Sequence, residues 1–137
     1  VTGDNFGCGS SRESAVWAMT AFGIRCVVAR SFADIYRENC LKNGLLPVTF
    51  APDQAAAFEA RVIKVDGGAP FSADLVKQAI RCPDGTEFRF DISTGERTAL
   101  LEGLDDIGMT LKHREAIADW EQRVRKDRPW LQELSRR

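Results

Sequence analysis

A chain of 137 residues, 44% hydrophobic and 28% charged, suits one globular domain. At this size roughly two thirds of the unfolded surface can be buried without a disulfide or metal staple. Nineteen Lys and Arg against twenty Asp and Glu leave a net charge of -1, which argues against nucleic acid or a membrane surface as a partner bound by bulk charge. No apolar run approaches the ~18 residues of a membrane span. Cys8, Cys26, Cys40 and Cys82 lack the CxxC spacing of a zinc or redox site, and no secretory leader is visible, so a reducing cytoplasm is expected. The chain opens on Val1 within a Gly-rich loop, and the expectation is a fragment or processed form without its N-terminal part.

In chain order, residues 1 to 10 (VTGDNFGCGS) have the composition of a loop. A helix is expected over residues 11 to 22, started by a capping box of Ser10 and Glu13 and stopped by Gly23. IRCVVA (24 to 29) reads as a buried strand whose Cys26 is a core thiol. A second helix follows, capped by Ser31 and Asp34 and ended by Gly44, and then a strand LLPVTF (45 to 50) with Pro47 near a strand start or an edge. Helix, strand, helix, strand within fifty residues is the pattern of an α/β layer. Pro52 sits at the first position of an alanine-rich helix. Residues 73 to 81 are read as one strand, joined through the PDG turn at 83 to 85 to its hairpin partner EFRFDI. From Thr94 the chain reads as a helix, a glycine-interrupted link LDDIGMTL, and a helix HREAIADWEQRVR before Pro129. Trp17 and Phe22 are expected in the core, and Trp120 and Trp130 against the C-terminal helix. The pair Asp105 and Asp106 is read as ordering a turn, and the lone histidine, His113, as a solvated residue at a helix start.

The residues with the most chemistry are GDNFGCGSSRE, 3 to 13, a flexible loop running into a capped helix. A helix start offers open backbone N–H groups and partial positive charge, a site for an anion such as a carboxylate. Gly7 and Gly9 let the backbone approach a ligand, and Arg12 brings a planar charge able to grip a carboxylate through two hydrogen bonds. In such a field an ionised Ser10 or Ser11 would be stabilised, so either could act as base or nucleophile. The structural alternative is a plain helix cap with Arg12 in a surface ion pair. A dinucleotide fingerprint, a Walker loop and a G-x-S-x-G elbow are all missing.

NFGCGSSRE, continuing through AFGIRCVVARSFADIYRENCLKNGLLPV and later GLDDIGMTL, resembles the 3-isopropylmalate dehydratase small-subunit family, the swivelling domain of the aconitase superfamily. The resemblance covers residues 3 to 50 and about 73 to 113, and implies an α/β fold, a compact three-layer β/β/α swivelling domain with a mixed sheet flanked by helices, over residues 1 to 137. It implies a hydro-lyase of leucine biosynthesis, active only with a large subunit that itself holds a four-iron four-sulfur cluster, where one iron acts as Lewis acid on a 2-hydroxy diacid. Carried onto matching positions, Ser10 is the catalytic base, Arg12 binds a substrate carboxylate and Ser11 helps to bind by hydrogen bonding; no metal ligand falls on this chain. Ser14 and Val16 stand where the family commonly has histidine and proline. The alternatives are a paralogous hydratase subunit for methylmalate/citraconate or homoaconitate, and a non-catalytic anion-binding module.

Overall fold

The computed structural model describes residues 1–9 and 12–133 and divides into two compact units, Val1–Leu104 and the residues from Asp105 onward. The first unit carries, in order, α1 (Ser14–Ala21), β1 (Cys26–Val28), α2 (Asp34–Lys42), β2 (Leu46–Val48), α3 (Pro52–Val65), β3 (Ser72–Asp74), β4 (Ala79–Arg81), β5 (Glu87–Arg89) and α4 (Thr94–Glu102). The second carries α5 (Asp106–Leu111), α6 (Arg114–Asp127) and α7 (Trp130–Glu133). This is the expected α/β architecture, with its parallel and antiparallel ladders held in separate sheets.

β1 and β2 are parallel, with Val27 opposite Pro47. Pro47 can occupy the centre of β2 because that strand has only one partner among the described residues. Alternation along β1 divides the unit into layers. Val27 faces a core with Val16 of α1, Tyr36 and Cys40 of α2, and Leu45. Cys26 and Val28 face a second core that joins Leu46 and Val48 to Phe58 of α3, Ile80 of β4 and Phe88 of β5. The parallel pair thus lies between two helices on one side and α3 with the antiparallel sheet on the other. Phe58 is the centre of the second core, its ring 5.1 Å from Phe50, 5.3 Å from Phe88 and 5.6 Å from Phe71. Burying one such ring contributes roughly 1.5–3 kcal/mol.

The expected strand over 73 to 81 is two strands. Asp74 turns the chain by accepting the Lys77 N–H on Oδ1 at 2.9 Å, and Gln78 follows at φ +52°, so β3 and β4 pair with each other as a hairpin. The PDG turn behaves as expected: Gly85 donates to the Cys82 carbonyl at 3.0 Å, and Ile80 pairs with Phe88. Gly23 and Gly44 end α1 and α2 as expected, at φ +93° and +72°. Arg25, which interrupts the apolar run before β1, folds back to donate to the Thr20 carbonyl at the end of α1 at 2.8 Å. LDDIGMTL is a helix rather than a link, because Asp105 caps it by accepting the Gly108 N–H at 2.7 Å. His113 is exposed at the start of α6.

The large aromatic side chains depart from expectation. Trp17 is 54% exposed and Phe22 88%, because the eight-residue α1 buries one stripe, Val16 with Ala15 and Met19, and Trp17 lies about 100° away around the helix. Trp120 and Trp130 are each 59% exposed. Among the described residues no helix is long and apolar enough to cross a membrane.

Candidate functional site

The Gly-rich N-terminal segment is held along the outer side of β1 by pairing with residues 28 to 33. Thr2 N donates to the Val28 carbonyl at 2.8 Å, Arg30 N to Gly3 at 3.3 Å, Phe6 N to Ser31 at 2.9 Å and Ala33 N to Phe6 at 2.9 Å. Ser31 does not cap α2 as expected; its hydroxyl accepts the Asn5 N–H at 2.7 Å, and Ala33 occupies the N-cap position without a side-chain cap. The loop is therefore ordered by a nonlocal parallel ladder up to Phe6.

Beyond it the chain is pressed against α2. Phe6 meets the edges of Phe32 and Tyr36, with ring centroids 6.1 and 5.4 Å apart. Gly7 has φ +85°, and a Cβ there would overlap Cγ of Tyr36, so the position needs glycine on two separate grounds. Cys8 and Gly9 continue as an exposed turn. Between Gly7–Gly9 and the first turn of α2, Ala33–Tyr36, lies an open cleft of about 350 Å³.

Ser10 and Ser11 lie outside the described residues. The chain re-enters with Arg12, exposed and directly before the N-cap Glu13. The helix begins at Ser14, three residues later than expected, with Glu13 as N-cap and no side-chain cap of its own. The expected capping box rests on Ser10 and lies outside the described residues. The Glu13 carboxylate accepts from Nδ2 of Asn43 at 2.8 Å. The same Asn43 amide donates to the Asn39 carbonyl at 2.8 Å and accepts Nε1 of Trp17 on Oδ1 at 3.0 Å. The turn itself is closed by Val16 N and Trp17 N on the Glu13 carbonyl, at 2.9 and 3.1 Å.

Both anchors belong to one helix. Tyr36 in its first turn meets Gly7, and Asn43 at its C-cap meets Glu13. α2 is itself fixed by the buried Tyr36 and Cys40 and by Arg37, which donates to Glu96 of α4 at 2.8 Å. That hydrogen bond holds the Glu96 carboxyl below its ordinary range. Tyr36 and Asn43 were not legible as site residues in the sequence. Only the glycine at position 7 hinted that something lies close against the loop.

The cysteines differ sharply in environment. Burial pushes the Cys26 and Cys40 thiols up to about 11 and raises that of Cys82, whereas Cys8 is exposed. Brief alkylation of the native protein with iodoacetamide near neutral pH should therefore modify Cys8 alone, read by peptide mass spectrometry. Equally fast labelling of Cys40 would show that the core behind α2 is open. Among the described residues no three of His, Cys, Asp and Glu come together as a metal ligand set, so these residues do not fit an iron-sulfur cluster.

Two family models match the chain: the aconitase C-terminal domain over residues 1–53, and the C-terminal domain of the 3-isopropylmalate dehydratase small subunit over residues 106–133. The 3-isopropylmalate dehydratase small subunit of Mesorhizobium japonicum is 48% identical over 130 residues, covering 95% of this chain and 64% of that protein. Small subunit 1 of Bordetella pertussis is 48% identical over 128 residues, covering 93% and 63%. A crystal structure of 3-isopropylmalate dehydratase from Methanocaldococcus jannaschii superposes with a TM-score of 0.57 at 31% identity, covering 87% of this chain and 65% of that one. The chain thus spans about 64% of the length of a curated relative that it matches. At 48% identity along 95% of its length, with a small-subunit family model matched over residues 106–133, the chain is similar to the 3-isopropylmalate dehydratase small-subunit family over nearly all of its residues.

Proposed function

We propose that this chain is part of the small subunit of a hydro-lyase that interconverts 3-isopropylmalate and 2-isopropylmalate by dehydration and rehydration, and that it works only with a large subunit. The observation that carries this reading is the loop anchored on both sides of Ser10, Ser11 and Arg12, by Tyr36 at Gly7 and by Asn43 at Glu13. Anchored flanks keep the ordering cost of a reactive loop out of the catalytic step. Residues 1–137 are read as one swivelling domain, in the cytoplasm, and the four-iron four-sulfur cluster is assigned to the large subunit.

In this reading Ser10 removes the proton from the carbon next to the hydroxyl-bearing carbon, and Ser11 donates a hydrogen bond to the substrate. Arg12, one residue before the N-cap Glu13, binds a substrate carboxylate, where its guanidinium and the positive end of α1 act on the same negative charge. Of the two departures from the family's common run, Val16 is fully buried in the core behind α1 and does not reach solvent. Ser14 is exposed as the first residue of the helix, so it is the departure able to alter which diacid is preferred.

The test is Arg12→Lys in the full-length protein assembled with its large subunit. A lysine keeps the charge and loses the two-pronged grip, so KM for 3-isopropylmalate should rise about 10- to 100-fold. An unchanged KM would remove Arg12 from the substrate site.

A further inference from the structure

We infer that Asn43 is a positioning residue for Arg12, setting through Glu13 where the substrate-binding arginine stands at the start of α1. This rests on the reading of Arg12 given above. Asn43 lies thirty residues downstream of Glu13, at the C-cap of α2, where its backbone N–H bonds to the Asn39 and Cys40 carbonyls. Its side chain joins three partners at once: Glu13 at 2.8 Å, the Asn39 carbonyl at 2.8 Å and the Trp17 indole at 3.0 Å. Two of these partners belong to the segment that follows Arg12, and the third ties the amide back to its own helix.

A short polar side chain at an N-cap, such as Asp or Ser, turns inward to the open N–H groups of its own first turn. Glu13 makes no such cap and reaches across to α2 instead. Its neighbour Trp17, one turn on, is more than half exposed yet gives its indole N–H to the same amide. Exposed hydrogen bonds of this kind add little to stability. Their consequence is geometric: the first turn of α1 is registered to α2, whose Cys40 is fully buried a few residues earlier. Arg12 adjoins that registered turn, and recognition by a planar guanidinium is sensitive to its origin.

The test uses the full-length protein with its large subunit and initial rates on 3-isopropylmalate. Asn43→Asp keeps an acceptor for Trp17 and sets a second carboxylate against Glu13. It should raise KM about tenfold and leave kcat within about twofold. Adding Glu13→Gln to that variant restores a donor and acceptor pair with reversed polarity, and KM should return to within about threefold of the parent. Should Asn43→Asp not fold, Glu13→Ala at an exposed position is expected to give the same rise in KM. If Arg12→Lys raises KM while Asn43→Asp and Glu13→Ala do not, positioning is refuted and the role of Arg12 stands. If Arg12→Lys leaves KM unchanged, the underlying reading fails, and the role of Asn43 with it. A loss that falls equally on kcat and KM and is not recovered by Glu13→Gln would mark general damage and also overturn the proposal.

Discussion

Ser10→Ala, assayed in the complete two-subunit enzyme, should lower turnover about 10²- to 10⁴-fold while substrate still binds, because removing a general base leaves binding and electrostatic stabilisation in place. The base assigned here is a hydroxyl, which takes a proton only where its ionised form is stabilised. In the proposed reading that field comes from Arg12 and the positive end of α1, both within a few residues of Ser10 in sequence. The loss should therefore fall on kcat, with KM for 3-isopropylmalate changing little. Ser11→Ala should cost less, since it removes a hydrogen bond and leaves the proton acceptor. Near-normal turnover of Ser10→Ala in a folded complex would end the assignment of Ser10 as base.

The second large effect concerns Gly7. An alanine there must hold φ near +85° and drive its Cβ into Cγ of Tyr36, whose ring is already packed against Phe6. Left-handed backbone costs about 1–2 kcal/mol for an L-residue, and forcing a methyl into a packed site typically about 1–3 kcal/mol more. The expected result for Gly7→Ala is a loss of about 2–5 kcal/mol in denaturant unfolding, or a loop pushed off α2 with activity lost in a folded protein. Gly9→Ala is the control, because a Cβ at Gly9 meets nothing within 4 Å and its φ is not in the left-handed range. Equal stability of the two variants would show that Tyr36 does not press on the loop.

Local patterns foretold what local physics decides. Short apolar runs became β1 and β2, Gly23 and Gly44 ended helices, Pro52 opened α3, and the PDG turn closed the β4–β5 hairpin. The misses share a different cause. Ser31 has the local pattern of a cap, but the N–H it accepts belongs to Asn5, twenty-six residues away. The contact of Glu13 with Asn43 is likewise remote in sequence, thirty residues away. Leu75–Gln78 broke an expected strand because one side chain, Asp74, completed a turn that the apolar pattern does not register. Trp17 and Phe22 were placed in the core by composition, although α1 is too short to bury more than one stripe.

The candidate loop was legible from its glycines, serines and arginine, since helix starts and guanidinium groups serve anions by general principle. What holds the loop was not legible, because both anchors come from α2 through contacts that depend on the fold. A tyrosine and an asparagine seven residues apart on a helix carry no signal until the segment before α1 is known to lie along that helix.

The most direct measurement is an anaerobic mixing assay of the full-length protein with its candidate large subunit, following the ultraviolet absorbance of the unsaturated intermediate from a panel of 2-hydroxy diacids. Absorbance is expected only when both proteins are present, strongest with 3-isopropylmalate or 2-isopropylmalate, and not with either one alone. A stable complex without turnover on any diacid, or no complex at all, would contradict the assignment of this chain to a two-subunit hydro-lyase.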